Sequence, residues 1–454
     1  MANTIEVINP VHNPNQIKIG DRTVAFMQSQ TKLDEDSKDI IIEEAIKILS
    51  HCTIPGRNGH ITNIAVGYVQ SGKTLSFTTL TALAADNGYR MVIYLTGTKN
   101  NLQSQTSERL RNDLKTDEGD DYIIVDTNES IFAVDDIYNI LETGPEVLLF
   151  PILKHHLHIN RLDIFSAPTL VTKVKQCGVL IIDDEADQSS FNTYARKNAS
   201  KPEWEEDDFS RTYSSILNLK KSLPSHSYIQ YTATPQAAFL IDSNDILSPT
   251  YHTVLTPGKG YTGGKFFFKN QDLQLISIIP DTEVYHYKEN PLTSVPDSLS
   301  RALQEFLISV AIVVLIQKRE KYLSMMIHVD GRCDTNIKFA TWAQCTKQNW
   351  INALGGPADD FGTQIVRNSF KPAYNSITKY MTDIPSFDEV MGTLIRAMVR
   401  TKVHLVQSKG GTVAEQGISW ESEKGHILVG ADMLNRGFTI EHLSMSYMPR
   451  TTKG

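Results

Sequence analysis

A glycine-rich segment near the start of the sequence has the residue types that hold phosphate groups. Residues 67–74 read GYVQSGKT, a complete match to the pattern of two spaced glycines followed by lysine and threonine. They lie between an apolar run at 63–66 and a helical pattern at 75–85. In such a loop the backbone N–H groups and the positive end of the following helix face phosphate oxygens. The sequence therefore predicts a triphosphate site in which Lys73 contacts the β- and γ-phosphates and Thr74 binds Mg²⁺.

A group of carboxylates follows a second apolar run. Residues 178–188 read GVLIIDDEADQ, which is typical of a buried strand that ends in acids. Open α/β sheets bind ligands at the carboxyl ends of their strands, so these acids should face the phosphate loop, residues 67–74. We assign Asp184 to Mg²⁺ and Glu185 to orienting and deprotonating the attacking water. Asp183 is the competing magnesium ligand if the strand ends one residue earlier.

A third polar group follows another apolar run. Residues 231–235 read YTATP, and the hydroxyls of Thr232 and Thr234 could bond Asp187 or Gln188 near the γ-phosphate. Alone, this segment is equally typical of an ordinary strand end. Its value comes from its place after the loop and the acids.

The elements that must position these residues follow an α/β pattern. Short apolar runs alternate with amphipathic stretches, as expected for parallel strands covered by helices on both faces. The predicted strands are 63–66, 89–96, 122–125, 146–153, 178–183, 227–234, 324–329, 403–407 and 426–432. The predicted division has an N-terminal arm at 1–39, a first lobe at 40–241, a linker or insertion at 242–300 and an incomplete second lobe at 301–454. The second lobe contains a helical insertion at about 336–400.

Composition limits the classes of protein that fit. The chain is 41% hydrophobic and 21% charged with a net charge of −8, so no global positive field attracts nucleic acid or anionic lipid. Local basic groups could still follow a phosphate backbone, although each is also typical of a solvated helix face. These groups are Arg109, Arg111 and Lys115; Lys318, Arg319 and Lys321; and Arg396, Arg400 and Lys402. Scattered cysteines indicate a reducing, cytoplasmic location, and the apolar run 306–316 predicts a core helix and no membrane span.

The motifs and their order resemble a known family. The phosphate loop, the DEAD sequence at 184–187 and the TAT sequence at 232–234 are similar to motifs I, II and III of superfamily-two helicases. The segments GYVQSGKT, LIIDDEADQSS and VGADMLNRGFTIEHLSMSYMPRTTKG resemble the Z1 domain family over roughly residues 40–454. Members of that family are helicase-like ATPases, described as endonucleases and often encoded with restriction or phage-defence genes. The resemblance implies two RecA-like lobes with parallel sheets and the cofactors ATP and Mg²⁺.

The resemblance also implies roles for individual residues, some of which the motif spacing already assigns. Nucleotide contacts are implied for Gly67, Gln70, Ser71, Gly72, Lys73 and Thr74. Nucleic-acid contacts are implied for Thr96 and Thr98, to which we add Arg109 from the basic groups. Coupling roles are implied for Asp187, Gln188, Thr232, Thr234, Asp432, Arg436 and Gly437. Thr439 departs from the aspartate that many helicases have there, so no single helicase subgroup is indicated.

The expected arginine finger is a second departure. It should follow residue 437 by some tens of residues, whereas the sequence ends at Gly454 and Arg450 is too close to replace it. Fingers contribute about 10³ to 10⁵ in rate in related phosphoryl transfers. We therefore expect either a longer protein or a partner that supplies the arginine.

Our leading hypothesis is an ATP-dependent, helicase-like motor or translocase that binds ATP·Mg²⁺ between two lobes and acts on DNA. By resemblance it would serve a bacterial restriction or phage-defence system, and RNA stays open as the polymer. The alternative is an ATP-binding switch that recruits or gates a partner, either a nuclease or a GHKL-type ATPase, without unwinding. Stimulation of ATP hydrolysis by DNA separates the two hypotheses.

Overall fold

The chain forms two compact units, residues 1–263 and residues 264–454. A computed structural model describes residues 14–69, 71–97, 100–114, 121–125, 134–191, 210–241, 245–269, 275–379, 381–407, 418–431, 434 and 440–450. Each unit has a parallel sheet flanked by helices, and the second has a helical stretch between its strands. The predicted fold class is therefore confirmed.

The first unit follows the alternation of strands and helices read from the sequence. Its described strands are β1 Gly59–Val66, β2 Met91–Thr96, β3 Tyr122–Ile124, β4 Val147–Leu153, β5 Val179–Asp184, β6 Ser225–Thr232 and β7 Tyr251–Val254. Its described helices are α1 Asp21–Ser29, α2 Glu35–Ser50, α3 Lys73–Asp86, α4 Asn100–Leu114, α5 Val134–Thr143, α6 His156–Ile159, α7 Pro168–Cys177, α8 Arg211–Ser222 and α9 Gln236–Leu240.

All pairings in the first sheet are parallel, in the order β3-β4-β2-β5-β6-β1-β7. Tyr231 of β6 pairs with Asp184 of β5 on one side and with Ala65 of β1 on the other. The carboxyl ends of these three strands therefore lie at one edge of the sheet. The acids, the phosphate loop and the threonines leave the sheet at that edge.

Alternate side chains of the central strands enter two different cores. Val92 and Tyr94 of β2 pack in one cluster with α1 to α4, and Ile93 packs in the other with α5, α7 and α8. Burial on both faces explains the continuous apolar runs that predicted these strands.

Helix α1 lies within the segment that we predicted as an N-terminal arm. Its residues Phe26 and Met27 are buried in the core of the first unit. Asp86, at the end of α3, accepts hydrogen bonds from the backbone N–H groups of Gly20 and Thr23 at 2.9 and 3.0 Å. The first N–H groups of a helix have no acceptor within their own helix. The carboxylate of Asp86, from another helix, therefore provides the acceptor for the N–H groups at the start of α1.

The second unit contains a smaller parallel sheet with the order β11-β8-β10-β9. Its described strands are β8 Leu323–His328, β9 Thr401–Val406, β10 Gly425–Gly430 and β11 Leu443–Tyr447. Its described helices are α10 Gly264–Lys269, α11 Asp297–Ser309, α12 Cys333–Leu354, α13 Phe361–Ser369, α14 Lys371–Thr378 and α15 Phe387–Val399.

Helix α11 continues as a π-helical segment over Val310–Ile316. The stretch Asp297–Ile316 is long and apolar enough, by length and composition alone, to cross a membrane. Phe306, Leu307 and Ile312 are fully buried in the core of the second unit. The predicted core helix is confirmed.

A buried pair of histidines lies in the second sheet. Nε2 of His404 is 3.0 Å from Nδ1 of His426, whose Nε2 is 2.7 Å from the carbonyl oxygen of Trp420. Burial, and to a smaller extent the neighbouring His426, lowers the pKa of His404 to about 4. Two neutral rings therefore suit this site, because each can donate from Nε2 and accept at Nδ1.

The free energy of unfolding of the second unit should therefore fall as the pH drops from about 6.5 to about 4. In that window the unfolded chain binds a proton at His404 that the folded unit excludes, so lower pH favours unfolding. Tryptophan fluorescence during urea unfolding measures this, since Trp342, Trp350 and Trp420 belong to this unit. His404→Gln should reduce the slope, and His286→Gln, at a half-exposed side chain, should not. Equal slopes in all three proteins would contradict the prediction.

Candidate functional site

The phosphate loop connects the carboxyl end of β1 to the start of α3. Gly72 has φ +96°, a left-handed conformation that suits glycine, and it precedes the first residue of α3, Lys73. A Cβ on Gly67 would lie 3.0 Å from the Cγ of Lys73 and 3.2 Å from the Oγ of Ser71. The backbone conformation therefore favours glycine at position 72, and a side chain at position 67 would displace Lys73 or Ser71. The loop is closed by Ser71, whose Oγ donates to the carbonyl of Tyr68 at 2.9 Å.

The acids leave β5 in a tight turn beside this loop. Nζ of Lys73 lies 3.3 Å from Oε1 of Glu185, and both side chains are about one-tenth exposed. Glu185 has φ +50°, which costs a residue with a Cβ about 1–3 kcal/mol. The structure thus brings together the loop and the acidic pair that the sequence placed at one site.

The two candidate magnesium ligands occupy different surroundings. Successive strand residues point to opposite faces, so Asp183 and Asp184 diverge. Asp183 is fully buried, with Oδ1 2.6 Å from Nζ of Lys154 and Oδ2 accepting from the hydroxyl of Tyr228 at 2.6 Å. Asp184 is partly buried at the edge of the sheet. This arrangement favours Asp184 as the ligand of a cation.

Burial, and to a smaller extent the neighbouring charge of Glu185, raises the pKa of Asp184 to about 6. The cations Lys154 and Lys73 act in the opposite direction. At pH 7 most Asp184 side chains are still ionised, because the raised pKa lies below that value. A nearby cation stabilises the ionised form of such a carboxylate, since the cation offsets the cost of burying its charge.

A triphosphate with Mg²⁺ fits the residues present. Oε2 of Glu185 is buried and has no hydrogen-bond partner among the residues that the structure describes, so it can accept from a bound water. Lys73, the start of α3 and the glycine cradle provide positive potential for phosphate oxygens. Thr74 and Asp184 are the residues that would hold the metal.

The third motif contacts the second. Thr232 Oγ1 donates to Oδ1 of Asp187 at 2.7 Å, and Thr234 Oγ1 donates to Oδ2 at 2.6 Å. The hydrogen bonds predicted for Asp187 are therefore made. Gln188 closes the turn through its backbone, whose N–H donates to the carbonyl of Glu185 at 2.8 Å. A role of these residues in coupling stays a prediction.

Arg109 lies in a place that its sequence context did not indicate. This exposed residue of α4 donates from Nη1 to Oγ1 of Thr74 at 3.3 Å. We predicted that Arg109 contacts nucleic acid, whereas the structure places it against the phosphate loop. Residues far apart in sequence meet here because α4 packs on α3.

Thr96 also differs from its predicted surroundings. It is buried at the end of β2, and its hydroxyl donates to the carbonyl of Ile152 at 3.0 Å. The hydroxyl of Thr96 thus forms a hydrogen bond within the sheet and is not exposed to contact a nucleic-acid strand. Five further residues of the predicted site lie outside the described part of the chain: Gln70, Thr98, Asp432, Arg436 and Gly437.

Lys154 is the residue at this site that sequence reasoning missed. It follows β4 directly, and its ammonium contacts the acidic turn. The available signal was the position of a lysine immediately after a buried strand, the same place that Glu185 has relative to β5.

Comparison with solved structures finds helicases. The Mycobacterium smegmatis helicase Lhr, bound to ssDNA and AMP-PNP, is 11% identical, with a TM-score of 0.41 over 94% of this chain and 43% of that one. S. cerevisiae Dbp5, bound to RNA and ADP BeF3, is 12% identical, with a TM-score of 0.40 over 95% of this chain and 79% of that one. This chain thus spans less than half the length of Lhr. Such low similarity carries no information on substrate.

Comparison with sequence families identifies one domain. No curated protein matches the sequence at a significant level. The family model of the Z1 domain matches residues 298–454, which lie in the second unit and include β8 to β11. Over residues 298–454 this match confirms the resemblance to the Z1 domain family that the motifs indicated, and that part of the chain is therefore similar to a Z1 domain.

Proposed function

We propose that this protein hydrolyses ATP at the site formed by the phosphate loop and the acidic turn, and that it uses this hydrolysis to act on DNA. The observation that carries the proposal is the 3.3 Å contact between Nζ of Lys73 and Oε1 of Glu185. This contact places a cation that can bind a triphosphate next to a carboxylate that can activate a water nucleophile. The DNA part of the proposal is supported by the order of the motifs along the chain and by the Z1 domain.

The side chains would divide the work as follows. Lys73 and the first N–H groups of α3 bind the β- and γ-phosphates and stabilise charge that develops during transfer. Glu185 accepts a hydrogen bond from the attacking water and takes its proton. Magnesium, held by Thr74 and Asp184, would neutralise charge on the phosphate oxygens. Asp187, fixed by Thr232 and Thr234, would carry the state of the nucleotide site to β6.

The rate of ATP hydrolysis with and without single-stranded DNA tests this function. A motor should hydrolyse faster when DNA is present, and the stimulation should fall as salt rises. Tight ATP binding with negligible turnover under both conditions would instead indicate a switch that gates a partner. Stronger stimulation by RNA than by DNA at the same salt would replace DNA with RNA in the proposal.

Arg109→Ala should lower ATP turnover by roughly 10- to 100-fold, because a cation beside Thr74 can face the phosphates. DNA affinity should change little. Arg111→Ala, an exposed arginine on the same helix, is the matched control and should leave turnover unchanged. If both variants instead weaken DNA binding and neither slows hydrolysis, Arg109 belongs to a nucleic-acid track, as the sequence suggested.

A further inference from the structure

Lys154 makes three contacts with three consecutive residues of the acidic turn. Its Nζ lies 2.6 Å from Oδ1 of Asp183, donates to the carbonyl of Asp184 at 2.6 Å, and donates to the carbonyl of Glu185 at 3.0 Å. The side chain has no exposed surface. Two of the three N–H donors of the ammonium group are thus given to backbone carbonyls of this one turn, and its charge lies against Asp183.

These contacts act on the backbone from which the two proposed catalytic carboxylates project. Two successive carbonyls turn towards one ammonium group at the point where β5 ends and Glu185 adopts φ +50°. Such a conformation is uncommon for a residue with a Cβ and persists only where its surroundings enforce it. Lys154 contributes to that enforcement, because its removal would take one hydrogen bond from each of the carbonyls of Asp184 and Glu185.

We propose that Lys154 is a positioning residue that fixes the turn at Asp184 and Glu185, and so aims both carboxylates at the phosphate loop. This inference rests on the proposed function for its effect on catalysis, although its structural part does not. Among the described residues the ammonium of Lys154 contacts Asp183 and two backbone carbonyls of the turn, so it acts through the turn and not on the nucleotide. Charge balance alone does not explain the arrangement, since two of its donors go to backbone carbonyls and not to Asp183.

Lys154→Met keeps most of the apolar stem and removes the donors. The expected result is a fall in kcat of roughly 10- to 100-fold, because displacement of a catalytic group by about 1 Å can cost 10² in rate. The affinity for ATP measured without Mg²⁺ should stay within about threefold, since Lys73 and the loop are untouched. Retention of the wild-type kcat by a folded Lys154→Met would overturn the proposal.

Two further variants separate positioning from stability. Lys347→Met is the matched control: Lys347 is also buried, but its Nζ donates to the carbonyl of Thr401 in the second unit. Its kcat should stay within about twofold of wild type. The double variant Lys154→Met/Asp183→Asn removes both buried charges, and Tyr228 can still donate to the amide oxygen. This variant should recover thermal stability without recovering kcat, and recovery of both would overturn the proposal.

Hydrogen exchange gives a test that needs no ATPase activity. The N–H of Ala186 donates to the carbonyl of Tyr231, and the N–H of Gln188 donates to that of Glu185. In Lys154→Met or the double variant these amides should exchange at least about tenfold faster, while those of β1 keep their protection. Wild-type exchange rates would overturn the positioning claim. Absence of ATP hydrolysis in the wild-type protein would overturn the proposed function only.

Discussion

Lys73→Ala is expected to lower ATP turnover by roughly 10²- to 10³-fold, the usual effect of removing one group that stabilises transition-state charge. Lys73 is the residue of the phosphate loop whose charge faces Glu185 at 3.3 Å and which α3 presents at its first position. Alanine removes the charge and leaves the glycines and the helix N-terminus in place. Hydrolysis should therefore fall more steeply than nucleotide binding.

The control for this substitution is Lys221→Ala. Lys221 is an exposed residue of α8 in the same unit, and its replacement changes the net charge by the same amount. Turnover in that variant should match the wild type. A Lys73→Ala protein with wild-type stability and wild-type turnover would show that the hydrolytic site has been assigned to the wrong residues.

Glu185→Gln is expected to give the second large effect, a loss of roughly 10²- to 10⁴-fold in turnover with ATP still bound. Glutamine has the same shape and can hold a water, but it cannot take a proton from it. Loss of one negative charge beside the triphosphate should leave ATP affinity unchanged or higher. A fluorescent ATP analogue measures binding, and phosphate release measures turnover.

Glu43→Gln, at an exposed position of α2, provides the matched control and should have no effect. If Glu185→Gln hydrolyses ATP at the wild-type rate, another acid must activate the water. Asp184 and Asp187 would then be tested next. Asp183 is a poor candidate, because both its oxygens are engaged by Lys154 and Tyr228.

Strands buried on both faces were well predicted, whereas two of the four described edge strands were missed and the other two, β3 and β9, were predicted at 122–125 and 403–407. The run predicted as 178–183 is β5, Val179–Asp184, and that predicted as 146–153 is β4, Val147–Leu153. The missed strands β7 and β11 lie at sheet edges and expose several side chains. An edge strand needs less apolar surface, so its sequence carries a weaker periodic signal.

The sequence by itself determined the chemistry at the centre of the site. A complete phosphate-loop pattern allows few other structures, because its glycines, lysine and threonine each meet a separate geometric need. Acids at the end of an apolar run then had to lie near that loop, since parallel strands place their carboxyl ends at one edge. Local pattern and general topology were sufficient for these residues.

Only the tertiary structure decided which side chains support that chemistry. The contact of Lys154 with the acidic turn and the contact of Arg109 with Thr74 join residues that are about 30 or more positions apart. Such contacts depend on strand order and helix packing, which no local pattern specifies. The same reason explains Thr96, whose hydroxyl is taken up by the neighbouring strand β4. A sequence shows which groups are available, and packing selects the partners that each of them meets.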